Sequence, residues 1–333
     1  MLALELRESV DSLGYRPPTS FDELDLQRMA LPALGSTPNV DRTDLTIGER
    51  GISVRLHRPS GLRGARPCIM SIHGGGLVGG AQEMDDYVFE IWASRLGVLG
   101  VSLDYRLAPE APYPAALDDC ADVAKWVVAH AAELDVDLDQ FGVMGASAGG
   151  GLAAALALRF RDEGQNCFKF MILDAPMLDD RLVTPSSQLD NLAIWSREAN
   201  RFAWDCYLGQ RIESDDVSFY AAPARAEDLG GLPPTLLTVG SADGFRDEGI
   251  AFAGKLAQQG VAVDLRVYAG APHGYGMFQS WPTAARAARD TLDWAAQHIG
   301  ADTREDEPDV DCAPVVSQSV KSDNEDPDDS HQP

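Results

Sequence analysis

Short apolar runs alternate with longer stretches of helical spacing along most of this chain. Runs near 52–57, 67–72, 98–104, 140–145, 168–174, 234–240 and 262–268 have the length of strands. Between them lie helical patterns such as the Ala/Leu segment from Gly150 to Arg159. This alternation predicts an α/β fold, a mostly parallel central sheet flanked by helices on both faces. Two stretches break the alternation. Residues 1–35 carry a helical pattern from Phe21 to Met29, punctuated by Pro17, Pro18 and Pro32. Residues 177–225 place Trp195, Phe202, Trp204 and Tyr207 on helix-like segments, a pattern that ordinary core packing also produces.

The last stretch, 301–333, differs in kind. It holds eleven Asp/Glu against Arg304 and Lys321, almost without large apolar residues, and cannot bury enough surface to order itself. It reads as an acidic disordered tail behind a single domain over 1–300. The chain's formal charge is −25, most of it outside the tail, which disfavours nucleic acid and anionic membrane surfaces as partners. Five scattered cysteines (68, 120, 167, 206 and 312) form no C-x-x-C pair, so neither a disulfide framework nor a zinc site is expected. Glu5 and Arg7 interrupt the N-terminus, and no apolar run is long enough to span a bilayer. The expectation is a cytoplasmic protein without metal or cofactor. A homodimer is left open.

The candidate chemistry centres on Gly145-Ala-Ser-Ala-Gly149, between the strand-like Phe141–Met144 and the Ala/Leu helix. A serine flanked by glycines at a strand-to-helix junction is a nucleophile elbow, a turn tight enough to lift Oγ clear of the sheet. Upstream, the apolar run Cys68–Ile72 ends in His73-Gly-Gly-Gly76. Glycines in that place serve ordinary loops too, but they also leave backbone N–H groups free for an oxyanion. Downstream, Asp243 and His273 each follow a strand-like run, on the loops where a rigid sheet holds reactive side chains. The order Ser, Asp, His is that of α/β-hydrolases. Asp247 and Glu248 compete with Asp243 but fall inside an apparent helix over 244–259, where they read as first-turn charges favoured by the helix dipole. His57, His130, His298 and His331 read as structural or solvated.

These blocks resemble the hormone-sensitive-lipase-like carboxylesterases, bacterial family IV of the α/β-hydrolase superfamily. The resemblance rests on His73–Gly76, Asp104-Tyr-Arg-Leu-Ala-Pro-Glu110, Tyr113–Asp119, Gly145–Gly150, Asp243–Glu248 and Pro272-His-Gly274, spanning about 65–275. It implies an α/β-hydrolase fold with a helical cap drawn from 1–35 and 177–225. It also implies Ser147 as nucleophile, Asp243 as acid and His273 as base. Gly75, Gly76 and Ala148 would supply the oxyanion amides, with His73 and Gly74 supporting their loop. Arg106 and Glu110 could form a buried pair bracing that region, stable only with both partners present.

Two positions depart from the family pattern. Ala146 stands where Asp or Thr is usual, and Leu77 where a large aromatic is usual, which suggests a roomier pocket. Leu77, Trp195 and Phe202 are the candidate pocket residues. The implied substrates are small-molecule esters of short to medium acyl chain, with an amidase or lactonase using the same triad as the alternative. A non-catalytic receptor on this fold is disfavoured by the presence of His273 and the full glycine loop.

Overall fold

The computed structural model describes residues 2–3, 6, 10, 17–24, 39–190, 192–212 and 214–301. The expected tail lies outside them except for Ala301, as does most of the helical pattern predicted before residue 35; within it, Phe21–Glu23 form a short 3-10 turn. The sheet has eight strands: β1 (Val40–Ile47), β2 (Ile52–Pro59), β3 (Arg66–Ile72), β4 (Leu99–Asp104), β5 (Val136–Ala146), β6 (Phe170–Asp174), β7 (Thr235–Gly240) and β8 (Val263–Tyr268). Their order is β1-β2-β4-β3-β5-β6-β7-β8; β2 pairs antiparallel with both β1 and β4, and the remaining pairs are parallel.

Seven of these strands coincide with the predicted runs, and β1 was not predicted. Only its two end residues, Val40 and Ile47, are buried, so its six inner positions give no apolar alternation. Pairing with β2 at the sheet edge makes it a strand.

Side-chain alternation divides the core. Phe170 and Ile172 of β6 join Ile69 and Leu236 in one cluster with Phe89 and Trp92 of α1 (Asp86–Leu96) and Leu292 and Trp294 of α6 (Pro282–Ile299). Met171 and Leu173 point the other way, into a larger cluster with α2 (Ala115–Ala129), α3 (Ala148–Asp162), α4 (Arg197–Leu208) and α5 (Arg246–Gln258). That is the predicted arrangement of helices on both faces.

Strand order then decides where a ligand can sit. From β3 the chain crosses to β4 on one side, then returns to β5 on the other. Adjacent β3 and β5 thus form a topological switch point, and in open α/β sheets the crevice at the strand carboxyl ends there holds the ligand. The loop after β3 begins at His73, and the turn after β5 carries Ser147.

Candidate active site

The elbow is built by sterics. Ser147 adopts φ 55°, ψ −119°, a conformation costly for a residue with a side chain. Its N–H donates to Asp174 O at 2.8 Å, and its carbonyl accepts from Met177 N at 2.9 Å and Gly151 N at 3.1 Å. A Cβ at Gly149 would overlap the Ile72 and His73 carbonyl oxygens, and one at Gly145 would overlap Gly149 O. Only glycine lets the turn press this closely on the end of β3.

The imidazole of His273 lies between the other two groups. Nδ1 is 2.9 Å from Asp243 Oδ2, and Nε2 is 2.9 Å from Ser147 Oγ. An ionised carboxylate only accepts, so Nδ1–H donates to Asp243 and Nε2 of the neutral ring accepts from the serine hydroxyl. Asp243 Oδ1 accepts in turn from Phe245 N at 2.9 Å, and the Phe245 ring meets His273 edge-on at 5.0 Å. All three groups are buried. Burial by itself disfavours the imidazolium, but the Asp243 charge, its hydrogen bond and Asp174 behind it outweigh that. The His273 pKa ends above its ordinary value.

The glycine loop lies against this chain. Gly75 (φ 117°) and Gly76 (φ 63°) are left-handed, and their N–H groups donate to no acceptor among the described residues. Ala148 opens α3, so its N–H has no acceptor within the helix. A Cβ at Gly74 would sit 3.1 Å from Ala146 O and 3.4 Å from Ser147 Cβ, which places that glycine directly on the elbow. His73 braces the loop from below. Its ring stacks on Tyr105 at 4.2 Å, Nδ1 lies 2.7 Å from Gly74 O, and Tyr105 OH donates to His73 O at 3.0 Å. Burial pushes its pKa down to about 4, so it is a neutral support.

Of the pocket candidates, Trp195 is closest to this chemistry. Its ring lies 6.3 Å from that of His273, and a Cβ on Gly76 would be 2.6 Å from its Cζ2. Phe202 is half-buried on α4 and meets Phe21 edge-on at 5.4 Å, joining the N-terminal segment to residues 177–225. Leu77 (φ 66°) is 4% exposed in the main core, and its carbonyl accepts from Ala108 N at 2.9 Å.

Two expectations are corrected. Arg106 and Glu110 are both exposed and form no buried pair. Helix α2 brings fully buried Asp119 under the loop, and Arg106 forks onto it, Nε to Oδ2 and Nη2 to Oδ1 at 2.8 Å each. Glu248 does lie in the first turn of α5, but it is buried, which disfavours the charged form expected there. Its Oε1 accepts from Leu178 N at 2.7 Å and Asp179 N at 3.3 Å, and burial drives its pKa well up. Asp247 instead accepts from Ser186 N at 2.7 Å. The remaining described histidines stand apart: His57 bonds Asp86, while His130 and His298 each bond a carbonyl one turn back. His331 lies outside the described residues. Among those residues no group of three or more His, Cys, Asp and Glu could hold a metal, and no helix is long and apolar enough to cross a membrane.

Sequence reasoning passed over Asp174, Thr238 and Tyr275, which form a hydrogen-bonded cluster beside the Ser147–His273–Asp243 chain. A signal was present: Asp174 ends a strand, the same positional rule that singled out Asp243.

The chain matches the family model described as alpha/beta hydrolase fold over residues 69–277. It is 34% identical over 258 residues to esterase LipI of Mycobacterium tuberculosis, covering 74% of this chain and 78% of that protein. Carboxylesterase NlhH of the same organism is 33% identical over 284 residues, covering 81% and 88%. Among solved structures, a bacterial heroin esterase superposes with a TM-score of 0.82 at 35% identity, over 90% of this chain and 98% of its own. The chain belongs to the α/β-hydrolase family and, within it, to the hormone-sensitive-lipase-like carboxylesterases.

Proposed function

We propose that Ser147, His273 and Asp243 are the catalytic triad of a hydrolase for small-molecule carboxylic esters of short to medium acyl chain. The observation that carries this is the unbroken chain of 2.9 Å contacts from Ser147 Oγ through both imidazole nitrogens to Asp243. His273 takes the serine proton as Oγ attacks the ester carbonyl. The N–H groups of Gly75, Gly76 and Ala148 receive the oxyanion. The imidazolium protonates the leaving alcohol, and water then repeats the cycle on the acyl-enzyme. Residues 177–225, with Phe21 of the N-terminal segment against Phe202, form the cap, and Trp195, Leu77 and Phe202 bound the pocket. A solved relative carries the name heroin esterase, a small-molecule ester hydrolase, which agrees with this substrate class.

Ser147→Ala should cut p-nitrophenyl butyrate turnover about 10⁴- to 10⁶-fold in a protein with unchanged melting behaviour, and should abolish labelling by a fluorophosphonate. Near wild-type turnover in a preparation free of other esterases would exclude the serine mechanism. Aryl amides and lactones run beside the ester decide which acyl class is preferred.

A further inference from the structure

Asp174 ends β6 and is absent from the Ser147–His273–Asp243 chain, yet it touches the segments bearing all three. Its Oδ1 accepts hydrogen bonds from Thr238 Oγ1 at 2.5 Å and Tyr275 OH at 3.1 Å. Thr238 lies on β7, the strand that leads into Asp243, and Tyr275 stands just beyond His273. The backbone completes the set, since Asp174 O accepts from Ser147 N at 2.8 Å. The next residue, Ala175, is held at φ 44° and donates its N–H to Thr238 O at 2.7 Å.

The choice of a carboxylate here calls for a reason. Two hydroxyl donors would be satisfied equally by an asparagine carbonyl, without the desolvation cost of a half-buried charge. Among the described residues no Lys or Arg pairs with Asp174. The ionisable groups acting on it are Tyr275, His273 and Asp243, with Tyr268 behind Tyr275 and Glu248 behind Asp243. Only His273 in this set becomes a cation during turnover.

We propose that Asp174 is a positioning residue of this site: through Tyr275 it fixes the loop carrying His273, and its charge joins that of Asp243 in stabilising the imidazolium. This rests on the triad reading above. The sign is definite. A second negative charge favours protonated His273, which stabilises the transition state while moving the acid limb of kcat/KM upward, because the neutral ring is the base. Its removal lowers both the limb and the plateau rate.

The test uses the full chain with Asp174→Asn, Asp174→Glu and Tyr275→Phe. ¹⁵N NMR titration of His273 is followed beside kcat/KM profiles on p-nitrophenyl butyrate. Asp174→Asn should drop the His273 pKa by about 0.5–1 unit and the plateau kcat by about 3- to 10-fold. Asp174→Glu should restore the titration. Tyr275→Phe keeps the charge and should leave the titration in place while lowering kcat. A folded Asp174→Asn variant whose His273 titrates as in the wild type overturns the proposal. If that variant does not fold, Asp174→Ser gives the same reading, and full kcat in Tyr275→Phe overturns the proposal independently. The NMR titration needs no turnover, so a protein inactive on every ester would refute the functional reading without deciding the fate of this one.

Discussion

On the sheet side of Ser147 the glycines press against backbone, whereas on the side facing residues 177–225 a glycine presses against a side chain. A Cβ at Gly145, Gly149 or Gly75 would overlap the carbonyl oxygens of Gly149, Ile72 or Gly79. Those atoms belong to the end of β3, the loop that follows it and the first turn of α3, so they cannot yield without moving the backbone around the site. A Cβ at Gly76 would instead meet the Trp195 ring, with Ala203 Cβ at 3.3 Å. Trp195 follows Ile194, a β-branched residue held at φ 71°, and its N–H bonds Ala193 O at 2.8 Å. The floor of the site is thus fixed by main-chain geometry, and the roof by how one segment's side chains pack. A floor of this kind holds the reacting groups in register, while a roof of this kind can change its lining without disturbing them.

The floor is tested most severely through Asp243, the proposed acid. Asp243→Asn keeps the shape but removes the charge that orients the imidazole, so kcat should fall about 10⁴-fold. Asp247 is partly exposed and paired with Arg246 and Ser186 N, so Asp247→Asn should cost less than about tenfold. Steady-state rates for the two variants decide the matter. The reverse ranking would place the acid on the wrong residue and take Asp243 out of the floor.

The same contrast explains what could be read from sequence. The elbow and the glycine loop are local: the clashes that demand glycine arise between segments whose strand-to-turn character is visible in the residues around them. Asp243 and His273 were legible because a strand end is a recognisable place. Asp174 stands at an equivalent place and was passed over, since no motif surrounds it. Arg106 shows where local reading stops, because its partner depends on how α2 docks, and Asp119 rather than Glu110 arrives there. β1 was invisible because an edge strand that buries only Val40 and Ile47 has no apolar period. For residues 177–225 the aromatic pattern showed that something packs, but not that Trp195 reaches Gly76. That contact joins segments far apart in the chain.

Gly149→Ala separates backbone from side-chain constraint. Gly149 lies in the first turn of α3 at an ordinary helical φ, where alanine is intrinsically better by about 1 kcal/mol. Overlap with Ile72 O and His73 O should nevertheless reverse the sign, lowering stability by about 1–3 kcal/mol and kcat by more than about tenfold. No second substitution on the roof should recover it. Chemical denaturation gives the stability, and an alanine variant more stable than the parent would show that the floor is softer than the geometry implies.

Gly76→Ala is the counterpart on the roof, with a smaller and reparable effect. Two costs act at this position. The left-handed φ of 63° strains any residue with a Cβ by about 1–2 kcal/mol, and the methyl meets the edge of the Trp195 ring. The first cost is intrinsic to the position, whereas the second disappears when the ring is shortened. Gly76→Ala alone should therefore lower kcat/KM for a butyrate ester about tenfold, and adding Trp195→Leu should recover part of that loss. The pair should show a coupling of about 0.5–3 kcal/mol in a double-mutant cycle read on kcat/KM. Trp195→Leu alone should favour bulkier esters over acetate, because it removes wall from the pocket without touching the amides of Gly75 and Ala148. Strict additivity of the two substitutions would mean that the ring and the glycine do not constrain each other. Gly76 would then belong with the backbone-locked floor, and the division between the two sides of the site would have to be redrawn.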